Sequence, residues 1–478
     1  MRLRLVPFVP AAIALGGCYL YRDPAPLTPV LVAAALPRAA AIEDLDSLVA
    51  IIGEVHPNPG PRLGPLRDSL ARVWPDTIGR ARIARDLGRL LATIGDGHTA
   101  VSLDGLELRA ALERGERTWP FSVRRSADGI VIANVVGADT AVLRPGDRLE
   151  AIAGRPIDDL VTELGLAVPA ELPTWRDMLV LRSRGGRLWQ EGVRPPAVVR
   201  VTGRDGRLRE VPIAGATMNP RERQAAPAVS EPLTVRRTAD SVLVLNFERM
   251  WGDQTAFRAR LDSAFDAGAR DGVRAVVVDL RRNGGGDSRW GTTLLSYVTA
   301  APLSEGVRKE WKGSRRYRAY IASRVTPLIR TWLPFSWMDG PVSGIFSGPP
   351  GTVAVLEYTP TPSPANPRRL ERPTCILIGP GTFSSAMMLA NTARRSGVAT
   401  LIGEPTGEPP NSGGEVLGFV LRRSGIVGQV SSAHFVLDED PAGDRRGVLP
   451  HVEVVPTRED IAARRDPVME RAMACGRQ

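Results

Sequence analysis

Two short runs limit the fold more than anything else in this chain: Arg274-Ala-Val-Val-Val-Asp-Leu280 and Thr374-Cys-Ile-Leu-Ile-Gly379. A strand with one wet face alternates apolar and polar residues, whereas a continuous apolar run of this length is covered on both faces. Each run leads into a glycine turn and then a stretch of helical spacing. Ser241 to Phe247 reads as another apolar strand, followed by an amphipathic helix from Gln254 to Ala269. Buried strands alternating with helices predict a mostly parallel or mixed sheet with helices on both sides, an α/β fold.

The rest of the chain changes character twice. From Ile42 to Ile94 the apolar spacing is helical (Leu45, Leu48, Val49, Ile52, then Ile83, Leu87, Leu90, Leu91), interrupted at His56-Pro-Asn-Pro-Gly60. The last helix runs into a tight turn, Gly95-Asp-Gly-His-Thr99, and a strand beginning at Ala100. From about Trp119 to Ile213 short strands take over. There Leu143-Arg-Pro-Gly-Asp-Arg-Leu-Glu-Ala-Ile-Ala-Gly-Arg-Pro-Ile157 reads as turn, strand, turn and resembles PDZ domains. The stretch Ser336 to Pro373, rich in Pro and Gly, reads as surface loop.

The first residues read as a targeting segment. Arg2 and Arg4 precede an apolar run, Leu5 to Leu15, that is too short to span a bilayer. Leu15-Gly16-Gly17-Cys18 then resembles a bacterial lipoprotein signal, which implies cleavage before Cys18, a lipid on its sulfur, and a place in the bacterial cell envelope facing the periplasm or exterior. A Pro-rich tether follows. The expected division is 1–17 signal, 18–40 tether, 41–117 helical domain, 118–215 PDZ-like module and 227–470 α/β core.

Composition removes several classes of function. Only Lys309 and Lys312 are lysines, so 60 of the 62 basic residues are arginine. They are spread through every segment among acidic neighbours. The net charge of +10, or +8 once Arg2 and Arg4 leave with the signal, is therefore background and not a nucleic-acid surface. Three cysteines exclude a disulfide scaffold or Cys-rich metal cluster, and the setting of Cys375 and Cys475 argues against a bridge between them. Four dispersed histidines without His-Glu-x-x-His exclude a zinc hydrolase of that kind, and no cofactor or metal is expected. Neither a Walker A motif nor Gly-x-Ser-x-Gly is present, and Gly286-Asp-Ser288 lacks the glycine that a chymotrypsin-type serine loop needs.

One segment suits nucleophilic chemistry. In Ile378-Gly-Pro-Gly-Thr-Phe-Ser-Ser-Ala386 a strand passes through a glycine turn to serine and helix. Such a turn lifts a hydroxyl above the sheet, with helix-terminal amides nearby for an oxyanion. Helix capping by the serine is the alternative reading. The second glycine turn, Asn283-Gly284-Gly285-Gly286, also follows a buried strand.

Taken in order, these pieces resemble the serine peptidases that include the tail-specific (C-terminal processing) proteases and the tricorn core protease. The matching segments are the Asp96-Gly-His98 turn, the PDZ-like module, Val278 to Gly286, Gly381-Thr-Phe-Ser-Ser-Ala386, Leu401-Ile-Gly-Glu-Pro-Thr-Gly407 and Gly447-Val-Leu-Pro450. The resemblance implies a catalytic domain of the crotonase-like type and hydrolysis of peptide or protein substrates. Tail-specific proteases use a serine and a lysine just after the Gly-Glu-Pro-Thr segment. Here that stretch, Gly407-Glu-Pro-Pro-Asn-Ser-Gly-Gly414, has no lysine, which leaves the tricorn-like branch with His98 as base. The implied nucleophile is Ser384, with Ser385 as fallback, and the implied oxyanion donors are the amides of Ser385 and of Gly284 or Gly285. The family's carboxylate falls at Asp444, sixty residues beyond Ser384, with Glu439 and Asp440 as fallbacks. Met387 and Pro450-His451 depart from the family pattern. His56, His434 and His451 are weaker candidates for the base. A non-catalytic lipoprotein that holds a peptide or lipid on the same fold is the competing expectation.

Overall fold

In a computed structural model the protein is described for residues 34–102, 106–217, 231–324, 348–440 and 445–477. The signal, Cys18 and Asp444 lie outside these residues. The two apolar runs form the centre of a six-stranded sheet. Its order is Leu233–Arg237, Val242–Phe247, Ala275–Asp279, Thr374–Ile378, Thr400–Gly403 and Val452–Glu453, parallel except for the first strand. Val276, Val278, Ile376 and Ile378 point into the larger core, with the helices Gln254–Arg270 and Ser385–Arg395. Val277, Cys375 and Leu377 point to the other face, where the C-terminal helix Pro467–Ala472 lies. Both faces are covered, which is why the runs carry no polar alternation.

That second face departs from expectation: Cys375 and Cys475 are joined by a disulfide. The C-terminal helix carries Cys475 back across the sheet, to a Cα–Cα distance of 6.2 Å from Cys375. Arg281 reinforces the same closure, pairing with Asp279 beside it and with both carboxylate oxygens of Asp466.

A second, antiparallel sheet runs in the order Val353–Glu357, Arg308–Lys312, Val427–Val436 and Asn411–Val420. The short strand Ala100–Ser102 adds to Val427–Val436 in register Gln429↔Ala100. The N-terminal helices Arg38–Val55, Leu63–Val73 and Arg80–Ala92 bury Leu45, Ile52, Leu87 and Leu91 against this sheet. The turn before Ala100 is thereby fixed to the second sheet. Two elements were not foreseen: the strand Arg308–Lys312, which carries both lysines, and the strand Val353–Glu357 within the Pro-rich stretch.

The middle module has its own sheet, ordered Phe121–Ser126, Gly129–Val135, Arg148–Ile152, Ala197–Thr202 and Leu208–Ile213. The helices Ile157–Gly165 and Pro173–Gln190 pack on it. A bridge between Thr118 and Ala216 closes the module where the chain enters and leaves. Among the described residues no helix is long and apolar enough to cross a membrane.

Candidate active site

Ser384 stands between the strand Thr374–Ile378 and the helix Ser385–Arg395, with φ 55°. A positive φ is uncommon outside glycine and is sustained here by contacts on both sides. Thr382 Oγ1 donates to Leu280 O at 2.9 Å, and the amide of Phe383 donates to Asn283 O at 3.1 Å. The serine loop is thus tied to the Asn283–Gly286 turn. Gly285 has to be glycine: its φ is +94°, and a Cβ there would lie 2.6 Å from Ser384 Cβ.

The proposed oxyanion donors separate into two groups. Gly285 N–H is engaged, donating to Asn283 Oδ1 at 2.9 Å, so it is not a free donor. The buried Asn283 in turn donates from Nδ2 to Phe247 O at 2.9 Å. The amides of Gly284 and Ser385 donate to no group among the described residues. They remain as the pair able to receive a developing negative charge. Ser385 Oγ donates to Gly286 O at 2.6 Å, which employs that hydroxyl structurally.

The turn Gly95–Thr99 folds around Asp96. Its Oδ1 accepts the amide of His98 at 2.8 Å, and its Oδ2 accepts Thr99 Oγ1 at 2.5 Å. His56 Nε2 also lies 2.9 Å from Oδ2. Asn58 N–H donates to His56 Nδ1 at 3.1 Å, so the His56 proton sits on Nε2 and points at Asp96. With these partners the Asp96 carboxyl stays far below the usual carboxylate range against the pull of burial. Gln429 Nε2 donates to His98 O at 3.0 Å, and Ser431 N–H donates to Thr99 Oγ1 at 3.1 Å, completing the attachment to the second sheet.

The residue facing His98 is one the sequence did not single out. Glu408 Oε1 lies 3.3 Å from His98 Nδ1, and Oε2 accepts the amide of Ser384. One fully buried carboxyl therefore touches both His98 and the Ser384 loop. Its segment is held in place by its neighbours: Val448 N–H donates to Thr406 Oγ1 at 2.8 Å, and that hydroxyl donates to Glu408 O at 2.8 Å. The Gly-Glu-Pro-Thr-Gly and Gly-Val-Leu-Pro motifs thus pack together beneath the serine loop.

Of the carboxylates expected for this place, Glu439 and Asp440 do not reach it. Both are exposed, and Asp440 lies 3.5 Å from Arg446. They lie at a bend beyond the end of the strand Val427–Val436, while Glu408 fills the site from a buried loop.

The middle module enters the same site. Glu171 Oε2 accepts the amide of Gly97 at 3.0 Å, and Trp175 stacks on Phe383 at 3.9 Å. Phe383 also packs on His98, at 4.6 Å between ring centroids. Gly97 leaves room for this: a Cβ would lie 2.9 Å from Glu171 Oε2 and 3.1 Å from Phe383.

Three carboxyls, Asp96, Glu171 and Glu408, thus surround one edge of His98, and none has an arginine or lysine partner among the described residues. Burial, and then the charge of Asp96, push Glu171 up to about 8. Burial, and then Glu171, push Glu408 well above the usual range. Such carboxyls cannot all ionise, and they titrate as a set. Glu171, raised by burial and by the charge of Asp96, is the carboxyl that keeps its proton. Glu408 accepts an amide and a hydroxyl from Ser412, partners that favour its ionised form. Burial lowers the basicity of His98, with Asp96 partly opposing it, so the ring is neutral at neutral pH. Asp96, His98 and Glu171 offer ligand atoms within 4.8 Å of one another, the spacing of a cation site. The Asp96 oxygens and Glu171 Oε2 are already committed to hydrogen bonds.

The other histidines serve structure. His451 Nδ1 accepts the amide of Leu401 at 2.9 Å, securing the last strand, and His434 lies within Val427–Val436.

Residues 242–454 match the family model for peptidase family S41. The crystal structure of mature CPAF superposes with a TM-score of 0.62 at 17% identity, over 89% of this chain and 94% of that chain. Mature CPAF complexed with lactacystin gives 0.60 at 18% identity, over 89% and 95%. The photosystem II D1 C-terminal processing protease gives 0.43 at 15% identity, over 88% and 94%. No curated protein matches the chain.

Proposed function

From the premise that this chain belongs to peptidase family S41 through residues 242–454, and is a serine protease, we propose that it hydrolyses peptide bonds with Ser384, His98 and Glu408 acting together. The single observation carrying this reading is Glu408, which touches His98 Nδ1 and the amide of Ser384 at once. A carboxylate 3.3 Å from Nδ1 favours the tautomer with its proton there, leaving Nε2 to take the serine proton. The Ser384 oxygen attacks the carbonyl carbon, and the amides of Ser385 and Gly284 stabilise the oxyanion. His98 then returns the proton to the leaving amine, and water releases the acyl group by the same route. Asp96 and His56 act behind the base by fixing its turn.

We further propose a lipid anchor at Cys18 and an envelope location. The signal-like residues 1–18 and the Pro-rich tether support it, as does the Cys375–Cys475 disulfide, a bond that persists in oxidising compartments. The 118–215 module is read as PDZ-like. The test is hydrolysis of a fluorogenic peptide library by protein lacking residues 1–17. Turnover that disappears in S384A and H98A supports the reading. Tight peptide binding without turnover in folded wild-type protein would instead make this a binding protein on the same fold.

A further inference from the structure

Beside the nucleophile loop lies a cavity of about 140 Å³ that reaches Ser385, the residue next to Ser384. Leu295 and Gly291 of the helix Arg289–Leu295 form one wall, and Met388 and Leu389 of the following helix form another. Leu303 completes an apolar sleeve. Gly291 keeps it open, since a Cβ there would lie 3.3 Å from Leu389 Cβ.

Among the described residues one charged side chain lines this sleeve, Glu305. Thr292 Oγ1 donates to its Oε1 at 2.9 Å, and Ser288 Oγ lies 3.4 Å from its Oε2. Two hydroxyls thus orient the carboxylate without neutralising it. No arginine or lysine lines the cavity, and Glu305 forms no ion pair among the described residues. The nearby Lys309 is committed elsewhere: its ammonium pairs with Glu415 and lies 3.8 Å from the Trp311 ring centroid. The cavity therefore combines an apolar wall with hydroxyls, Tyr358, Thr359 and Thr361 among them, and Glu305 is its one carboxyl among the described residues.

Its position gives it a use. A carbonyl carbon under attack by Ser384, with its oxygen on the amides of Ser385 and Gly284, carries its own residue's side chain two bonds away. That side chain has to leave the reacting centre close to Ser385. We propose that this cavity receives the side chain on the N-terminal side of the scissile bond, and that Glu305 makes the enzyme prefer lysine or arginine there. The apolar sleeve accommodates the methylene stem and the carboxylate meets the cationic head. This inference rests on Ser384 being the nucleophile.

The test uses fluorogenic peptides that differ only at that residue, lysine, arginine, leucine or glutamate, with the rate of Ser384 labelling by a small fluorophosphonate as an independent readout. Wild type is expected to cleave the basic peptides at least about tenfold faster in kcat/KM than the leucine or glutamate ones. E305Q should erase that preference with labelling unchanged, and E305D, which keeps the charge, should retain it. A wild-type ranking with leucine or glutamate ahead overturns the proposal, as does an unaltered ranking in E305Q with labelling intact. Absence of labelling in wild type would bring down the nucleophile assignment itself, and this proposal with it.

Discussion

Glu408 Oε1 stands 3.3 Å from His98 Nδ1, and its other oxygen accepts the amide of Ser384. In the proposed mechanism the base is oriented by a residue 24 positions after Ser384, in the loop where a lysine would stand in a serine–lysine enzyme. A carboxylate in that loop suits a histidine base, because it stabilises the imidazolium formed when the serine loses its proton. E408Q preserves shape and removes the charge, so it should lower kcat by about 10³ to 10⁴. D444N should leave the rate unchanged. Steady-state kinetics of the two variants decide between the carboxylates; the reverse pattern would return the role to Asp444.

Glu171 makes the site sensitive to alkali. Its carboxyl is raised to about 8 by burial and by Asp96, above the ordinary value of 4.5. The folded state therefore holds this proton more tightly than the unfolded chain. The resulting stability is complete below about pH 4.5 and is lost as the pH rises through about 8. Melting temperatures between about pH 5 and about pH 9 should fall more in wild type than in E171Q, which mimics the protonated carboxyl. Parallel curves would place the titration elsewhere.

His98 sets the opposite limb. Burial lowers its basicity, so the neutral ring persists below the ordinary imidazole value of 6.5. The acid limb of kcat/KM should therefore have its midpoint below that pH, measured on the free enzyme with a neutral substrate. A midpoint above 6.5 would mean that the surrounding carboxyls outweigh burial.

Gly285 is a test of backbone geometry. G285A introduces a side chain at φ +94° and within 2.6 Å of Ser384 Cβ, so turnover should be lost although every catalytic side chain remains. G284A keeps its N–H and meets no atom within 4 Å, so its activity should stay close to wild type. Equal activities in the two variants would contradict the packing described.

The Cys375–Cys475 bridge spans 100 residues that include both Ser384 and Glu408. Closing a long loop restricts the unfolded chain, and removing a native bridge typically costs about 2–5 kcal/mol. Denaturant midpoints of C375S/C475S should fall accordingly, and a reducing agent should lower the wild type to match. An unchanged midpoint in both experiments would contradict this.

Much of this architecture can be read from local pattern. Ala275–Asp279 and Thr374–Ile378 are legible because burial on both faces leaves no polar position in the core of either run. The Asp96-Gly-His98 turn and the serine elbow are legible because each compresses its geometry into a few small residues. Glu408 escapes such a reading: in Gly407-Glu-Pro-Pro410 it resembles any acidic loop residue, and only the docking of Thr406 on Val448 buries it. The available signal is that Gly407–Gly414 lacks a lysine and carries a single acidic residue, Glu408. Glu171 and Trp175 reach the site through the docking of a separate module, which no local spacing encodes. The cysteine bridge was hidden for a related reason. Cys375 reads as one more buried strand residue until the C-terminal helix brings Cys475 across the sheet.

The central claim is that Ser384 is the nucleophile and that His98, held by Glu408, activates it. Treating the folded protein with a fluorophosphonate and locating the adduct by peptide mass spectrometry tests this most directly. The account predicts one adduct, on Ser384, absent in H98A and formed far more slowly in E408Q. An adduct on Ser385, or labelling of Ser384 that is indifferent to both substitutions, would contradict it.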